Sequence, residues 1–218
     1  HPYFSHSGLD QGFDRFVVVE GRGGAEADLR YSSDQSADAA IAILNDGDFT
    51  KNRFFLWTHL MDPHKEYLPH EGFDRFGTDS HGRYDGEVAF TDVQVGRILA
   101  ALEQAGLSSR TVVVLTADHG EAFGEHGVRF HGRALWEEIV RIPWLWRVPG
   151  LAPRRVNLPV SQIDLVPSIL DVLGVKVPDS LRGRSLLPAM ETGEGTAEPV
   201  YIEQPEGEFM PPMNALIV

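Results

Sequence analysis

Residues 111–127 read TVVVLTADHGEAFGEHG, an apolar, β-branched run that leads directly into Asp118, His119 and Gly120. Such a run, with residues 112–115 at its centre, is typical of a strand that is buried on both faces of a parallel sheet. In open α/β folds, polar residues just beyond the carboxyl end of a strand line the ligand crevice. The stretch therefore predicts an α/β fold with a polar site at one edge of the sheet.

Strand and helix patterns alternate on both sides of this stretch. In chain order they are a helix over 34–44, a strand over 53–60, a helix over 84–105, a strand over 111–117, a short helix over 134–139, a strand over 143–147, a helix over 163–173 and a return strand over 199–203. Such alternation favours a doubly wound, mostly parallel sheet with helices on its faces. No internal repeat and no clear domain boundary interrupts the series.

The composition excludes several classes of function. Lys and Arg number 19 against 32 Asp and Glu, a formal net charge of −13, so binding to nucleic acid, which needs a basic face, is not expected. The absence of cysteine excludes disulfides, cysteine-ligated zinc, iron–sulfur clusters and thiol nucleophiles from these residues. The longest apolar runs, 54–57 and 112–115, are far shorter than the about 20 residues that cross a bilayer, so no membrane segment is expected.

The Asp-His-Gly at 118–120 offers a carboxylate oxygen and an imidazole nitrogen, a donor set that suits hard and borderline divalent cations. Asp118 and His119 are therefore candidate metal ligands. Metal sites usually use three or four protein donors, so further ligands must come from elsewhere. For the tripeptide taken alone, the alternative stays open that it is a turn in which Asp118 caps the following helix.

Histidines concentrate at the ends of the strands predicted at 53–60 and 111–117 and in the loops that follow them. Of the nine histidines, the five in these places are His59, His64, His119, His126 and His131. Taken singly, His64, His126 and His131 could each be solvated surface residues, and His70 is expected to be a loop residue outside any site. Together in an acidic chain, the five predict a site for a metal and an anionic substrate.

At this point the chain resembles a known family. Residues 116–127 resemble the core signature of the sulfatase branch of the alkaline phosphatase superfamily. Six further blocks agree with the family in order and spacing: 12–16, 57–64, 84–102, 141–150, 162–174 and 181–186. The resemblance runs from about Gly12 to Val218 and implies an alkaline-phosphatase-like α/β fold.

The resemblance implies roles for individual residues. Asp118 and His119 would supply two ligands of one divalent cation, commonly Ca²⁺ in sulfatases, with Mg²⁺ or Mn²⁺ as alternatives. His64 would contact the sulfuryl or phosphoryl oxygens or the leaving-group oxygen. His131, thirteen residues beyond Asp118, matches a family lysine that binds the same oxygens. We expect His126 to contribute to substrate binding and His64 and His131 to act in catalysis.

The implied activity of the intact protein is hydrolysis of small anionic sulfate esters with a metal and an upstream nucleophile. Some members carry Asn where this chain has His119, and an imidazole there also resembles phosphonate and phosphodiester hydrolases of the same branch. Phosphodiester, phosphonate or phosphoethanolamine chemistry is therefore the first alternative. A non-catalytic, sulfatase-like binding domain is the second.

Family members carry a pair of metal-binding aspartates and a Cys/Ser-x-Pro-x-Arg nucleophile motif before the block at 12–16. Only eleven residues precede Gly12 here, and they contain no such motif. We therefore expect residues 1–218 to be a sulfatase-like domain truncated at the amino-terminal and at the carboxy-terminal side, and to be inactive alone. The habit of the family favours an extracytoplasmic location, whether periplasmic, secreted or membrane-attached.

Overall fold

A computed structural model describes residues 7–23, 30–64, 66–206 and 211–218. The chain divides into two units of packed residues, 1–108 and 109–218. In the part of the chain that is described, no helix is both long and apolar enough to span a membrane.

Two helices form the packed centre of the first unit. Its elements are β1 Arg22–Gly23, β2 Arg30–Tyr31, α1 Ser33–Leu44, α2 Gly47–Thr50 and α3 Ser80–Gln104. Helix α1 packs against α3. On α1, Ala37, Ala40 and Leu44 are buried, and on α3 Ala101 and Leu102 are buried. This spacing places one apolar stripe of each helix against its neighbour.

Local capping fixes the ends of the long helix α3. Asp79 precedes it, and its Oδ1 accepts a hydrogen bond from the backbone N–H of Gly82 at 2.8 Å. After Ala105, Gly106 takes φ 68°, a left-handed conformation that ends a helix and suits glycine. The helix expected over 84–105 is confirmed, and it begins four residues earlier than the periodicity predicted, at Ser80.

Residues 53–60 are not the buried strand that their composition predicted. Phe54 packs on Phe49 of α2, with ring centroids 5.1 Å apart, but Phe55 and Trp57 remain 66% and 49% exposed. Among the described residues, no strand pairs with this stretch. A strand is buried on both faces only where other layers cover both, and here no residue of 53–60 is fully buried.

The second unit carries the remaining regular structure. Its elements are β3 Val113–Thr116, α4 Glu137–Val140, β4 Trp144–Arg147, α5 Leu165–Val172, α6 Leu187–Thr192, β5 Val200–Gln204 and β6 Met213–Ile217. Strands β3 and β4 pair antiparallel, and so do β5 and β6, as β1 and β2 do in the first unit. The strand pairs among the described residues are therefore antiparallel, and the doubly wound parallel sheet stays a prediction.

Most elements predicted for the second unit are present but shorter. The strand expected over 111–117 spans Val113–Thr116 and is half-buried, and the helix expected over 134–139 spans Glu137–Val140. The helix expected over 163–173 is α5, which follows a single 3-10 turn at Gln162–Asp164. Helix α6, with Pro188 in its first turn, was not predicted because its stretch carries little periodicity.

Candidate functional site

The turn after β3 places Asp118 and His119 at the end of the strand. The backbone N–H of Gly120 donates to the carbonyl of Ile139 at 2.6 Å. A Cβ at position 120 would collide with the carbonyl oxygen of Glu138, so only glycine fits there. Helix α4 therefore packs directly against the backbone that carries the two candidate ligands.

The side chains of Asp118 and His119 lie close together. The Oδ2 of Asp118 lies 3.6 Å from the Nε2 of His119, and the carboxylate is 76% exposed. The Nδ1 of His119 lies 2.8 Å from the carbonyl oxygen of Gly120. A carbonyl oxygen only accepts, so in the neutral ring Nδ1 carries the proton and Nε2 keeps its lone pair. Carboxylate oxygen and imidazole nitrogen thus form a pair of donors with the chemistry that a divalent cation binds.

These two donors make only part of a metal site. Across the described ranges, no group of three or more His, Asp or Glu side chains is arranged to hold an ion. A catalytic metal usually has at least three protein ligands, so Asp118 and His119 fit part of such a set. The remaining donors stay unassigned.

The loop after the turn folds back and returns His131 to the strand end. The backbone N–H of Phe130 donates to the carbonyl of Ala122 at 2.8 Å, and Phe123 forms an isolated antiparallel bridge with Arg129. Phe130 takes φ 69°, a left-handed conformation that few residues with a side chain adopt. This reversal places His131 beside the candidate metal ligands.

His131 stacks on His119 and pairs with a buried carboxylate. The two imidazole rings have centroids 3.9 Å apart and planes inclined by 25°. The Nδ1 of His131 lies 3.2 Å from the Oε1 of Glu121, whose side chain is 3% exposed. Three of the residues that the sequence singled out, Asp118, His119 and His131, therefore lie together. Sequence reasoning missed Glu121, because nothing in the motif shows that this acid is buried.

His126 has a different setting from the His119–His131 stack. Its Nδ1 lies 2.8 Å from the Oε1 of Glu138, and its ring stacks on Trp136 with centroids 4.2 Å apart. Trp136 is about half exposed. This second imidazole–carboxylate pair is built on the start of α4.

Gln162 ties a second segment to the strand end. Its Nε2 donates to the carbonyl oxygens of Ala117 and Asp118, at 2.8 and 3.0 Å. The 3-10 turn that carries Gln162 is itself fixed, because the carboxylate of Asp164 accepts from the backbone N–H groups of Ser161 and Arg184. The backbone of Asp118 is thereby restrained from a point 44 residues away in sequence, which no local pattern reveals.

His64 lies in the first unit, on a loop that a buried aspartate anchors. The carboxylate of Asp62 accepts from the backbone N–H groups of Ser32 at 2.5 Å and Ser33 at 2.9 Å. These donors belong to the start of α1, so Asp62 caps this helix from a distant part of the chain. Burial raises the pKa of Asp62 above its usual range. The backbone N–H of His64 in turn donates to the carbonyl of Asp62 at 2.6 Å.

A buried histidine–glutamate pair also lies in the first unit. His70 is a loop residue, as expected, but it is buried and stacks on Phe90 with ring centroids 4.0 Å apart. Its Nε2 lies 3.7 Å from the Oε1 of Glu87, which also accepts from the backbone N–H of Leu68 at 2.8 Å. Burial raises the pKa of Glu87 to about 7, against hydrogen bonds that lower it.

Comparisons with known proteins agree with the resemblance seen in the sequence. A model of the Sulfatase family matches residues 3–175. The ulvan-active sulfatase of Formosa agariphila is 35% identical over 107 residues, a stretch that covers 47% of this chain and 21% of that protein. Arylsulfatase K of Bos taurus is 39% identical over 107 residues, which cover 49% of this chain and 20% of that protein.

A solved structure extends the likeness to most of the chain. The phosphonate monoester hydrolase SpPMH of Silicibacter pomeroyi matches 93% of this chain and 52% of its own chain, with a TM-score of 0.67 and 22% identity. Likeness at this identity shows a shared fold, and it confirms the expected α/β class of the alkaline-phosphatase-like type. The chain spans about a fifth of the length of the two curated relatives named above. By the family match over residues 3–175, the chain belongs to the sulfatase family.

Proposed function

We propose that the whole protein hydrolyses sulfate esters and that Asp118 and His119 supply two ligands of its divalent cation. The observation that carries the proposal is the convergence of the Asp118 carboxylate and the His119 Nε2, with the opposite ring nitrogen engaged by the carbonyl of Gly120. Membership of the sulfatase family and the sulfatase names of the relatives support it. The finer architecture, a doubly wound and mostly parallel sheet, is part of this proposal for the whole domain.

When bound, the cation supplies Lewis-acid stabilisation of the nucleophile and of the transferring group, with Ca²⁺ the first choice and Mg²⁺ or Mn²⁺ the alternatives. The residues of this chain bind and orient. His131, beside the candidate ligands, contacts the oxygens of the transferring group, and His64 contacts the same oxygens or protonates the leaving oxygen. His126 adds to substrate binding. The nucleophile is expected in the family segment upstream of residues 12–16.

The substrate class is a small anionic ester. The formal net charge of −13 disfavours anions for the chain as a whole, and imidazolium groups at the site would offset this where the ester binds. The organic part of the ester stays open. An extracytoplasmic location also remains a proposal, taken from the habit of the family.

A second candidate is phosphonate or phosphodiester hydrolysis on the same scaffold, with phosphoethanolamine transfer as a variant of it. The imidazole at His119, where some sulfatases carry Asn, favours this reading. A non-catalytic binding domain is the third candidate. The assay described next also tests it.

The full-length protein should be assayed with 4-nitrophenyl sulfate and with a 4-nitrophenyl phosphodiester, with and without Ca²⁺. We expect faster turnover of the sulfate, loss of turnover in D118N and H119A, and lower Ca²⁺ affinity of both variants by calorimetry. Glu137→Gln is the matched control, because Glu137 is an exposed acid on α4 that pairs only weakly with Arg141 across one turn. A phosphodiester favoured by orders of magnitude would refute sulfate specificity, and no turnover of either ester would favour the binding domain.

A further inference from the structure

Glu121 is a buried acid whose side chain meets the imidazole of His131. The Oε1 of Glu121 lies 3.2 Å from the Nδ1 of His131, and the carboxylate side chain is 3% exposed against 28% for the histidine. Its chain neighbour Ala122 packs in an apolar cluster with Ala134 and Ile139. A buried acid therefore lies beside an apolar cluster and pairs with a more exposed imidazole.

Burial of a carboxylate beside an apolar cluster is costly unless hydrogen bonds compensate it. An apolar side chain of similar volume would fill the same place without this penalty. Packing alone therefore does not explain an acid at position 121. The contact with His131 gives the acid a partner, because a carboxylate accepts a hydrogen bond from a protonated ring nitrogen and so holds the ring in one orientation.

We infer that Glu121 is a positioning residue that fixes the tautomer and the ring orientation of His131. With the Nδ1–H donated to Glu121, Nε2 lies on the opposite edge of the ring, where in the imidazolium form its own N–H can donate to an oxygen of the transferring group. This inference rests on the proposed function, in which His131 contacts the oxygens of the transferring group.

The stack between His131 and His119 extends the effect of Glu121 to the candidate metal ligand. The two ring centroids are 3.9 Å apart, so a rotation of the His131 ring displaces the surface on which His119 packs. The carbonyl of Gly120 accepts from Nδ1 at the edge of the His119 ring, and the His131 ring packs on its face. One buried acid thus orders two neighbouring imidazoles.

The first test reads the ring directly and does not depend on turnover. Nitrogen-15 NMR of the histidine rings, recorded on the full-length protein at alkaline pH, distinguishes a proton on Nδ1 from one on Nε2. We expect His131 of the wild type to carry its proton on Nδ1, and Glu121→Met to shift the population toward Nε2. Glu137→Met, an exposed acid on α4, is the control and should leave the His131 signals unchanged. A wild-type His131 with its proton on Nε2 would overturn the inference.

Glu121→Gln covers the case in which the methionine variant does not fold. The amide oxygen of glutamine can accept the same hydrogen bond without the charge, so this variant should keep the proton of His131 on Nδ1. If E121Q keeps its fold, as judged by the circular dichroism spectrum, but the proton of His131 moves from Nδ1 to Nε2, that result would contradict a hydrogen bond that orients the ring.

The second test reads catalysis in the full-length protein with 4-nitrophenyl sulfate. We expect E121M to lower kcat about 10- to 100-fold, the range seen when outer-shell partners of site residues are removed. If Glu121 acts on turnover through the His131 ring, the double variant E121M/H131A should be no slower than H131A. Additive losses would show a structural role and overturn the inference. A wild type without turnover would refute the proposed function, while the NMR result would still decide the role of Glu121.

Discussion

Replacing Glu87 with glutamine tests the electrostatic cost of the carboxylate buried in the first unit. The side chain is 1% exposed, and its Oε1 accepts from the backbone N–H of Leu68 at 2.8 Å. The Nε2 of His70 lies 3.7 Å from the same oxygen, and the negative charge of Asp62 is the other group that acts on it. Desolvation exceeds the hydrogen bonds and raises the pKa of Glu87 to about 7 from 4.5.

The sign of the effect follows from proton binding. Between about pH 4.5 and about pH 7 the folded protein keeps a proton on Glu87 that the unfolded chain has released, so the free energy of unfolding falls as pH rises through this window. It levels above the folded pKa, where both states are ionised. A pKa of about 7 against 4.5 corresponds to about 3 kcal/mol of lost stability, as an order of magnitude.

Urea unfolding of the wild-type chain, E87Q and E103Q at about pH 5 and about pH 8 measures how much unfolding free energy each loses between these pH values. Glutamine keeps the acceptor for Leu68 but cannot ionise, so E87Q should lose about 3 kcal/mol less than the wild type between these pH values. Glu103 is an exposed acid near the end of the same helix, and E103Q should follow the wild type. Parallel pH profiles of wild type and E87Q would refute the reasoning, because they would mean that His70 fully compensates an ionised Glu87.

Three further predictions concern the backbone that carries the site residues. In thermal melts, Gly120→Ala should destabilise the chain by more than about 2 kcal/mol, because the added Cβ would collide with the carbonyl of Glu138. Gly96→Ala is the control: the space beside Gly96 in α3 is open, so this change should be neutral or stabilising. Gln162→Ala should weaken Ca²⁺ binding by the full-length protein about tenfold in calorimetry, and an unchanged affinity would contradict its role at Asp118. Asp62→Ala should lower the urea-unfolding free energy by about 1 to 3 kcal/mol, because two buried backbone donors of α1 lose their acceptor; a loss below a few tenths would show that solvent replaces it.

Helices α1, α3 and α5 could be predicted from the sequence because their signals are local. Buried positions repeat along α1 at Ala37, Ala40 and Leu44, and a capping aspartate and a left-handed glycine bound α3. The position of Asp118 and His119 at the end of β3 could also be predicted, because it depends only on the order of residues along the chain. Interactions within about one turn of helix or one tight turn determine these features.

The surroundings of the strands could not be predicted in the same way. The run at 53–60 has the composition of a buried strand, yet Phe55 and Trp57 are exposed, because burial depends on which layers cover a segment and not on its own residues. The partner of a strand is likewise invisible locally. The antiparallel pairing of β3 with β4 joins Val113 to Arg147 across a long intervening loop.

The sequence by itself determined the family, helices α1, α3 and α5 and the Asp118–His119 pair, since each depends on residue identity at short spacing. The tertiary structure decided which groups meet. It set Glu121 against His131, ten residues away, and Asp62 against the start of α1, 30 residues away. It also enclosed Glu87 so that its pKa rises. Desolvation and hydrogen bonding between distant segments exist only once the chain has packed, so no reading of neighbouring residues reveals them.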